Sequence, residues 1–301
     1  MTRLIPHITV CVCTFKRPEA LARLLVELRG QETENEFTYS VVIADNDRQQ
    51  SARALVESSM AARGLDVAYC VEPRQNIALA RNKAVENAQG DFIAFIDDDE
   101  FPTPSWLLFL FRTHAANRAD GVLGPVRCRF DEVPPKWVFK SKLYDRPVHP
   151  TGHVLHWRET RTGNVLFRRS ILLPGEQVFR PAFRMGEDQD FFRRMMDRGH
   201  SFVWCNEAVV YEVVPPSRWK HSYILRRSML GGAMEPSTPT FRARDLGKAL
   251  LAVPTYALAL PAISLLGHHR FMECAAKLAY HLGTVLAYLG FNPIRTPYIT
   301  E

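Results

Sequence analysis

The stretch Gly90-Asp91-Phe92-Ile93-Ala94-Phe95-Ile96-Asp97-Asp98-Asp99-Glu100 runs from a turn through an apolar strand into four consecutive acids. Adjacent carboxylates repel one another and are costly to desolvate, so a cation is the natural reason to place them together. Oxygen ligands on a short loop suit Mg²⁺ or Mn²⁺, which complete their shells with water and substrate phosphates. A solvated acidic turn is the bland alternative. A Ca²⁺ loop is the other, but the run lacks the glycine and spaced acids of an EF-hand. A second acidic group, Glu187-Asp188-Gln189-Asp190, follows far downstream. Its plain reading is a helix N-terminus, where acids complement the dipole.

The elements that must position these groups alternate over the first 125 residues. Strands are predicted at Ile8–Thr14, Tyr39–Ala44, Asp66–Val71, Asp91–Ile96 and Gly121–Phe130. Helices are predicted between them at Pro18–Arg29, Ser51–Arg63, Asn76–Ala88 and Pro104–Asn117, the third ended by Gly90. This beat implies an α/β fold with a mainly parallel sheet covered on both faces. Ligands then bind beyond the carboxyl ends of the strands, at the loops of Thr14, Asp45 and Asp97. Further strands are expected at Thr162–Arg168 and Ser201–Val210, with a helix at Asp188–Arg198 between them. Residues 131–160, broken by Pro134, Pro135, Pro147 and Pro150, read as a long functional loop.

The C-terminal part differs in character. Ala249–Gly267 carries no charge, and as a helix would span about 28 Å, near a bilayer core. Pro254 and Pro261 would kink it, and a second apolar stretch follows at Leu278–Phe291. Between Arg218 and Lys248 stand seven basic and two acidic residues, which suits an anionic cytoplasmic leaflet. A buried helical pair, or one used for oligomerisation, is the alternative. The expected division is therefore 1–235 for the catalytic domain (1–125 and 126–235 as its nucleotide and acceptor halves) and 236–301 for a membrane-associating helical region.

Composition excludes disorder, a fibre and a small disulfide scaffold, since 47% of the residues are hydrophobic and 23% charged. The net charge of +6 is too small to argue for nucleic acid. The scattered cysteines read as reduced core residues, and Met1–Val10 does not read as a signal peptide. Neither the six cysteines nor the ten histidines show zinc spacing, and His268-His269 reads as an interfacial pair.

In order along the chain, Thr14-Phe15-Lys16-Arg17-Pro18, Ala44-Asp45-Asn46-Asp47, Asn76-Ile77-Ala78-Leu79-Ala80-Arg81-Asn82, Ile96-Asp97-Asp98-Asp99 and Gly186-Glu187-Asp188 resemble the family 2 glycosyltransferases of GT-A fold. Ser51-Ala52-Arg53-Ala54-Leu55-Val56-Glu57, Val122-Leu123-Gly124-Pro125-Val126 and Thr162-Gly163-Asn164 are most similar to succinoglycan-type exopolysaccharide β-1,4-glucosyltransferases.

The resemblance implies roles. Asp97 and Asp99 match the two carboxylates of an Asp-x-Asp motif, Asp99 as metal ligand and Asp97 toward ribose or metal, with Asp98 between them at the nucleotide. Thr14, Phe15 and Arg17 match the loop edging the uracil. Asp45 matches the acid accepting from the uracil imide N–H, where a carboxylate would meet a lone pair on cytosine; a helix cap before Ser51 is its plain reading. Asn76 and Arg81 match nucleotide-sugar contacts. Asp188 is the expected base, taking the acceptor hydroxyl's proton as that oxygen attacks C1, with Glu187 orienting the acceptor and Asp190 as fallback. Glu212 stands where many relatives carry a histidine as third metal ligand. Arg226 and Arg227 are expected at the diphosphate or at lipid headgroups. Trp157 and Asn164 are expected at the acceptor.

These expectations describe an inverting hexosyltransferase. It would move glucose, β-linked, from a UDP-sugar to a lipid-diphosphate-linked oligosaccharide at the cytoplasmic face of the membrane, using Mg²⁺ or Mn²⁺. A sugar nucleotidyltransferase is a rival, but Cys11–Arg17 lacks the glycine-rich loop it would want. A catalytically silent subunit of a polysaccharide assembly complex is another, against which the intact acids argue.

Overall fold

Strand β1 (His7–Thr14) puts Ile8, Val10 and Val12 on one face and Thr9 and Cys11 on the other, all fully buried. That pattern belongs to a central strand covered on both sides. The computed structural model describes residues 5–61, 64–183, 186–238 and 241–291. The chain divides into two units, Met1–Arg127 with Arg146–Glu212, and Cys128–Asp145 with Val213–Glu301.

In the first unit, β1 is followed by α1 (Pro18–Arg29), β2 (Thr38–Asp45), α2 (Arg53–Ala61), β3 (Val67–Val71), α3 (Ile77–Asn87), β4 (Phe92–Ile96), β5 (Glu100–Pro102) and α4 (Trp106–Asn117). Two short strands come next, β6 (Gly121–Leu123) and β7 (Val126–Arg129). After helix α5 (Lys136–Lys140) of the second unit come β8 (Asn164–Arg168), α6 (Glu187–Asp197), β9 (Phe202–Trp204) and β10 (Val210–Val213). Seven strands form one sheet in the order β3-β2-β1-β4-β8-β6-β9, and a small sheet has the order β5-β10-β7. In the large sheet only β8 runs antiparallel, against β4 and β6. The expected mainly parallel α/β fold is therefore the one observed.

Helices cover both faces because the strands alternate two buried sets. Ile8, Val10, Val41 and Ile43 pack with Leu21, Val56 and Trp106 of α1, α2 and α4. Cys11, Val42, Ile93 and Phe95 pack with Ala78 and Ala84 of α3 and with Phe191 and Phe192 of α6. Gly90 turns the chain into β4 at φ 87°, where a Cβ would stand 2.7 Å from the His7 carbonyl oxygen.

Three boundaries differ from expectation. Gly121–Phe130 is not one strand: the chain breaks at Gly124-Pro125 and sends β6 and β7 to different sheets. Ser201–Val210 likewise yields only β9 and the first residue of β10. Helix Ser51–Arg63 shrinks to α2, its last two residues lying outside the described ones.

The second unit holds α5, α7 (His221–Met234), α8 (Ala243–Ser264) and α9 (His268–Tyr288). Helix α7, grouped in the sequence with residues 1–235, belongs to this unit. Helices α7 and α9 meet at glycines: a Cβ on Gly232 would stand 1.8 Å from the Tyr280 carbonyl oxygen, and one on Gly283 2.2 Å from that of Met229. The apolar stretch Leu278–Phe291 is thus largely the packed end of α9. Among the described residues one helix, α8, is long and apolar enough to cross a membrane, with 6% of its apolar window buried. All six cysteines are free, and Cys11, Cys70, Cys205 and Cys274 are buried as core residues.

Candidate active site

β1 and β4 are parallel neighbours, so their carboxyl ends deliver two loops side by side. The Thr14 hydroxyl donates to Asp98 Oδ2 at 2.7 Å. Arg17 Nη1 reaches Asp98 Oδ1 at 3.3 Å and Asp99 Oδ2 at 3.0 Å. Asp98 is buried, and its carboxyl is pushed up to about 7, by desolvation first and then by Asp99, against the pull of Arg17 and Thr14. Thr14 and Asp98 thus tie the two loops together rather than standing free for a nucleotide. Phe15 remains half-buried beside them.

Glu100, which the sequence reading left without a role, accepts from the Asp97 N–H at 3.2 Å and is buried. It lies opposite Glu212 in the β5–β10 register. Burial raises its carboxyl well above the usual range, and Asp97, Asp99 and Glu212 add to that. Asp97 is raised as well, by desolvation among its neighbours and then by Asp99, Glu212 and Asp188, although its side chain keeps 47% exposure. Glu212 is ion-paired with Arg146, a cation that nothing in the local sequence marked. Arg161 adds positive charge near Glu100, Asp188 and Glu212.

Among the described residues these acids do not close on a common ligating point, but they leave room beside Gly163. A Cβ on Gly163 would stand 2.8 Å from Glu100 Oε1 and 3.1 Å from Asp97 Oδ2, so the glycine leaves a cradle over the carboxylates. The donor set is all oxygen, which suits a hard ion.

The second acidic group joins the first through Arg81. Its guanidinium, buried in α3, pairs with Glu187 at the start of α6 and lies 3.7 Å from Asp97 Oδ1. Glu187 is buried and its carboxyl is raised to about 6, by burial against the pull of Arg81. Both expected site residues are engaged here. Arg81 is committed to carboxylates rather than open to a nucleotide, and Glu187 is locked in an ion pair rather than open to an acceptor. Asp188, one residue on, is only half-buried, and its Oδ1 accepts from the Gln189 N–H at 2.8 Å. Asp190, the fallback base, is buried between Arg194 at 2.9 Å and Arg180 at 3.5 Å, which removes it as a base.

Hydrogen bonds already engage three more of the expected site residues, Asp45, Asn76 and Asn164. Asp45 is fully buried: Oδ1 accepts from Asp47 N–H, and Oδ2 from Ala52 N–H and the Tyr69 hydroxyl. Asp47, which the sequence reading passed over, has Oδ1 bonded to Gln49 N–H and a buried Oδ2 with no hydrogen-bond partner. Asn76 is the N-cap of α3, accepting from Ala78 N–H at 2.9 Å and Leu79 N–H at 3.3 Å.

Asn164, expected at the acceptor, is fully buried and has its amide spent. It accepts from Trp106 Nε1 at 2.8 Å and donates to the Pro125 and Ala208 carbonyls at 3.0 and 2.7 Å. Asn164→Ala should lower stability by roughly 2–4 kcal/mol in chemical denaturation, because three buried polar groups lose their partner. Trp157 is half-buried, with Arg158 4.2 Å over its ring. Arg226 and Arg227 lie on α7 in the second unit.

The chain resembles proteins of known class. Residues 9–173 match the glycosyl transferase family 2 model. The succinoglycan biosynthesis protein ExoM of Rhizobium meliloti is 35% identical over 246 residues, 81% of this chain and 78% of that one. Among solved structures, the mannosyltransferase PcManGT from Pyrobaculum calidifontis, in complex with GDP-Man and Mn²⁺, aligns at TM-score 0.61 and 17% identity over 93% of this chain and 87% of that one. S. aureus TarS 1–349 in complex with UDP-GlcNAc aligns at TM-score 0.54 and 14% identity over 95% and 92%. These two share the GT-A-like fold with this chain. By the family match and the long ExoM alignment together, this chain is a member of glycosyl transferase family 2.

Proposed function

We propose that the chain is an inverting hexosyltransferase. It moves a sugar, glucose in the reading closest to the motifs, from a UDP-sugar to a lipid-diphosphate-linked oligosaccharide during exopolysaccharide assembly. One observation carries the reading: two acidic groups far apart in sequence meet around Arg81, which pairs with Glu187 and faces Asp97. Such a site has one carboxylate group for the leaving diphosphate and another for the attacking hydroxyl.

Asp188 takes the acceptor hydroxyl's proton as that oxygen attacks C1. Arg81 holds Glu187, and with it the first turn of α6, in place. Asp97, Asp99 and Glu212 would hold Mg²⁺ or Mn²⁺, which when bound neutralises charge developing on the diphosphate. Phe15 and Arg17 edge the base. Asp47, with its unpartnered oxygen, takes the imide N–H in place of Asp45. Trp157 offers a ring face to the acceptor sugar.

The second unit supports a membrane surface. Helix α8 has a mean hydropathy of 1.5 in its apolar window and leaves Leu250, Leu251 and Leu258 exposed. Arg226 and Arg227 belong to the basic run just before it and suit headgroup phosphates on the cytoplasmic face. ExoM's role in succinoglycan biosynthesis fits the same setting.

The test is a panel of nucleotide sugars offered to the membrane-reconstituted protein with Mg²⁺ or Mn²⁺ and a lipid-diphosphate oligosaccharide. UDP release with transfer of one sugar is expected. Pyrophosphate exchange would point instead to a nucleotidyltransferase, and binding without turnover to a silent subunit.

A further inference from the structure

The connection between Arg146 and Thr162 carries side chains that sugar transfer does not use. Its middle is anchored on β9: Gly152 N–H donates to Trp204 O at 2.8 Å, Trp204 N–H to His153 O at 2.9 Å, and Leu155 N–H to Phe202 O at 2.9 Å. Its end is a helical turn, Trp157–Glu159, in which Glu159 Oε2 accepts from the His156 N–H at 2.8 Å. These anchors bring His149, His153 and Glu159 together. His149 Nε2 lies 3.4 Å from Glu159 Oε1, and His153 Nε2 3.8 Å from Oε2. One ligand atom from each residue fits within a 4.8 Å triangle. The two imidazoles are stacked, centroids 4.4 Å apart and 9° from parallel, and His149 also packs edge-on against Trp204 at 5.3 Å.

Both Nε2 atoms are buried and make no hydrogen bond. Buried imidazole nitrogens ordinarily have a partner. An ion pair with Glu159 would close to the roughly 2.7–2.9 Å of a charge-assisted bond, and neither contact does. Ligand atoms around a tetrahedral Zn²⁺, each about 2.0–2.2 Å from the ion, lie about 3.4 Å from one another, the separation of His149 Nε2 from Glu159 Oε1, and the stacked rings must turn apart for both nitrogens to face one ion. Two imidazoles and a carboxylate favour Zn²⁺ over Mg²⁺ or Ca²⁺, which prefer all-oxygen sites. Sequence spacing concealed the trio, because His149 and His153 lie on either side of a turn rather than on a helix face.

We propose that His149, His153 and Glu159 form a Zn²⁺ site, separate in chemistry from the all-oxygen cluster at the end of β4. Bound there, the ion clips together the segment that carries Arg146 at one end and Trp157 near the other. The site stands on its own geometry and does not require the sugar-transfer reading.

The full-length, untagged protein is stripped with chelator, equilibrated with Zn²⁺ in the presence of excess Mg²⁺, and dialysed. About one Zn²⁺ per chain should be retained, and Co²⁺ in its place should give the intense visible bands of a tetrahedral site. His149→Gln and His153→Gln should each weaken retention at least about 10-fold, the lower end for disturbing even an outer ligand. Asp99→Asn should retain the ion as the wild type does. Should the histidine variants misfold, chemical modification of the wild type replaces them: Zn²⁺ should protect His149 and His153 from diethylpyrocarbonate, as mapped by mass spectrometry. No retention by the wild type, unchanged retention in both histidine variants, loss of retention in Asp99→Asn, or unprotected histidines would each overturn the assignment.

Discussion

Asp188→Asn should lower kcat by about 10²–10⁴-fold while nucleotide affinity stays at the wild-type level. The asparagine keeps the shape of the side chain and can still accept from the Gln189 N–H, so the first turn of α6 should persist. What it loses is the capacity to take a proton from an attacking hydroxyl. Stopped turnover assays give the first number, and calorimetric titration with UDP the second. Asp190→Asn provides the contrast. It breaks the buried pairing with Arg194 and Arg180, so its cost should appear in thermal stability. Near wild-type turnover in Asp188→Asn would remove this residue from the chemistry.

Asp99→Asn should cost roughly 10²–10³-fold in turnover, the equivalent of the several kcal/mol that a divalent ion supplies at a developing anion. Its sharper signature is in binding. Wild-type affinity for UDP should rise on adding Mn²⁺, whereas the affinity of Asp99→Asn should not. Asp98→Asn should keep that metal response, because Asp98 is buried and held by the Thr14 hydroxyl inside the loop pair. If the metal response were identical in wild type and Asp99→Asn, the oxygen cluster would not be where the ion binds.

Local periodicity made the first half of the fold legible. The leucines of α1 at helical spacing, the β-branched residues of β1 and Asn76 before α3 each set their boundary within a residue or two. The Gly124-Pro125 break was not legible as a change of sheet, because which sheet a strand joins is decided by distant partners such as β8 and β10. At the site, acids adjacent in sequence were visible, and so was the likeness of their order to a known family. Invisible was how cations balance them. Arg146 meets Glu212 only through folding, and Arg81, expected at the nucleotide sugar, is a buried link to Glu187. Asp45 and Asp47 show the limit most clearly. Both are acids in one loop, and only the hydrogen bonds reveal which still has an oxygen to offer.

The single guanidinium wedged between Asp97 and Glu187 has a consequence for engineering. Grafting α6 from a relative to alter which sugar chain is extended would import that helix without its tether on α3. A chimera should therefore exchange position 81 and the α6 entry turn as one module. Lysine there would be a poor substitute, since one ammonium cannot present separate faces to two carboxylates as a planar fork does.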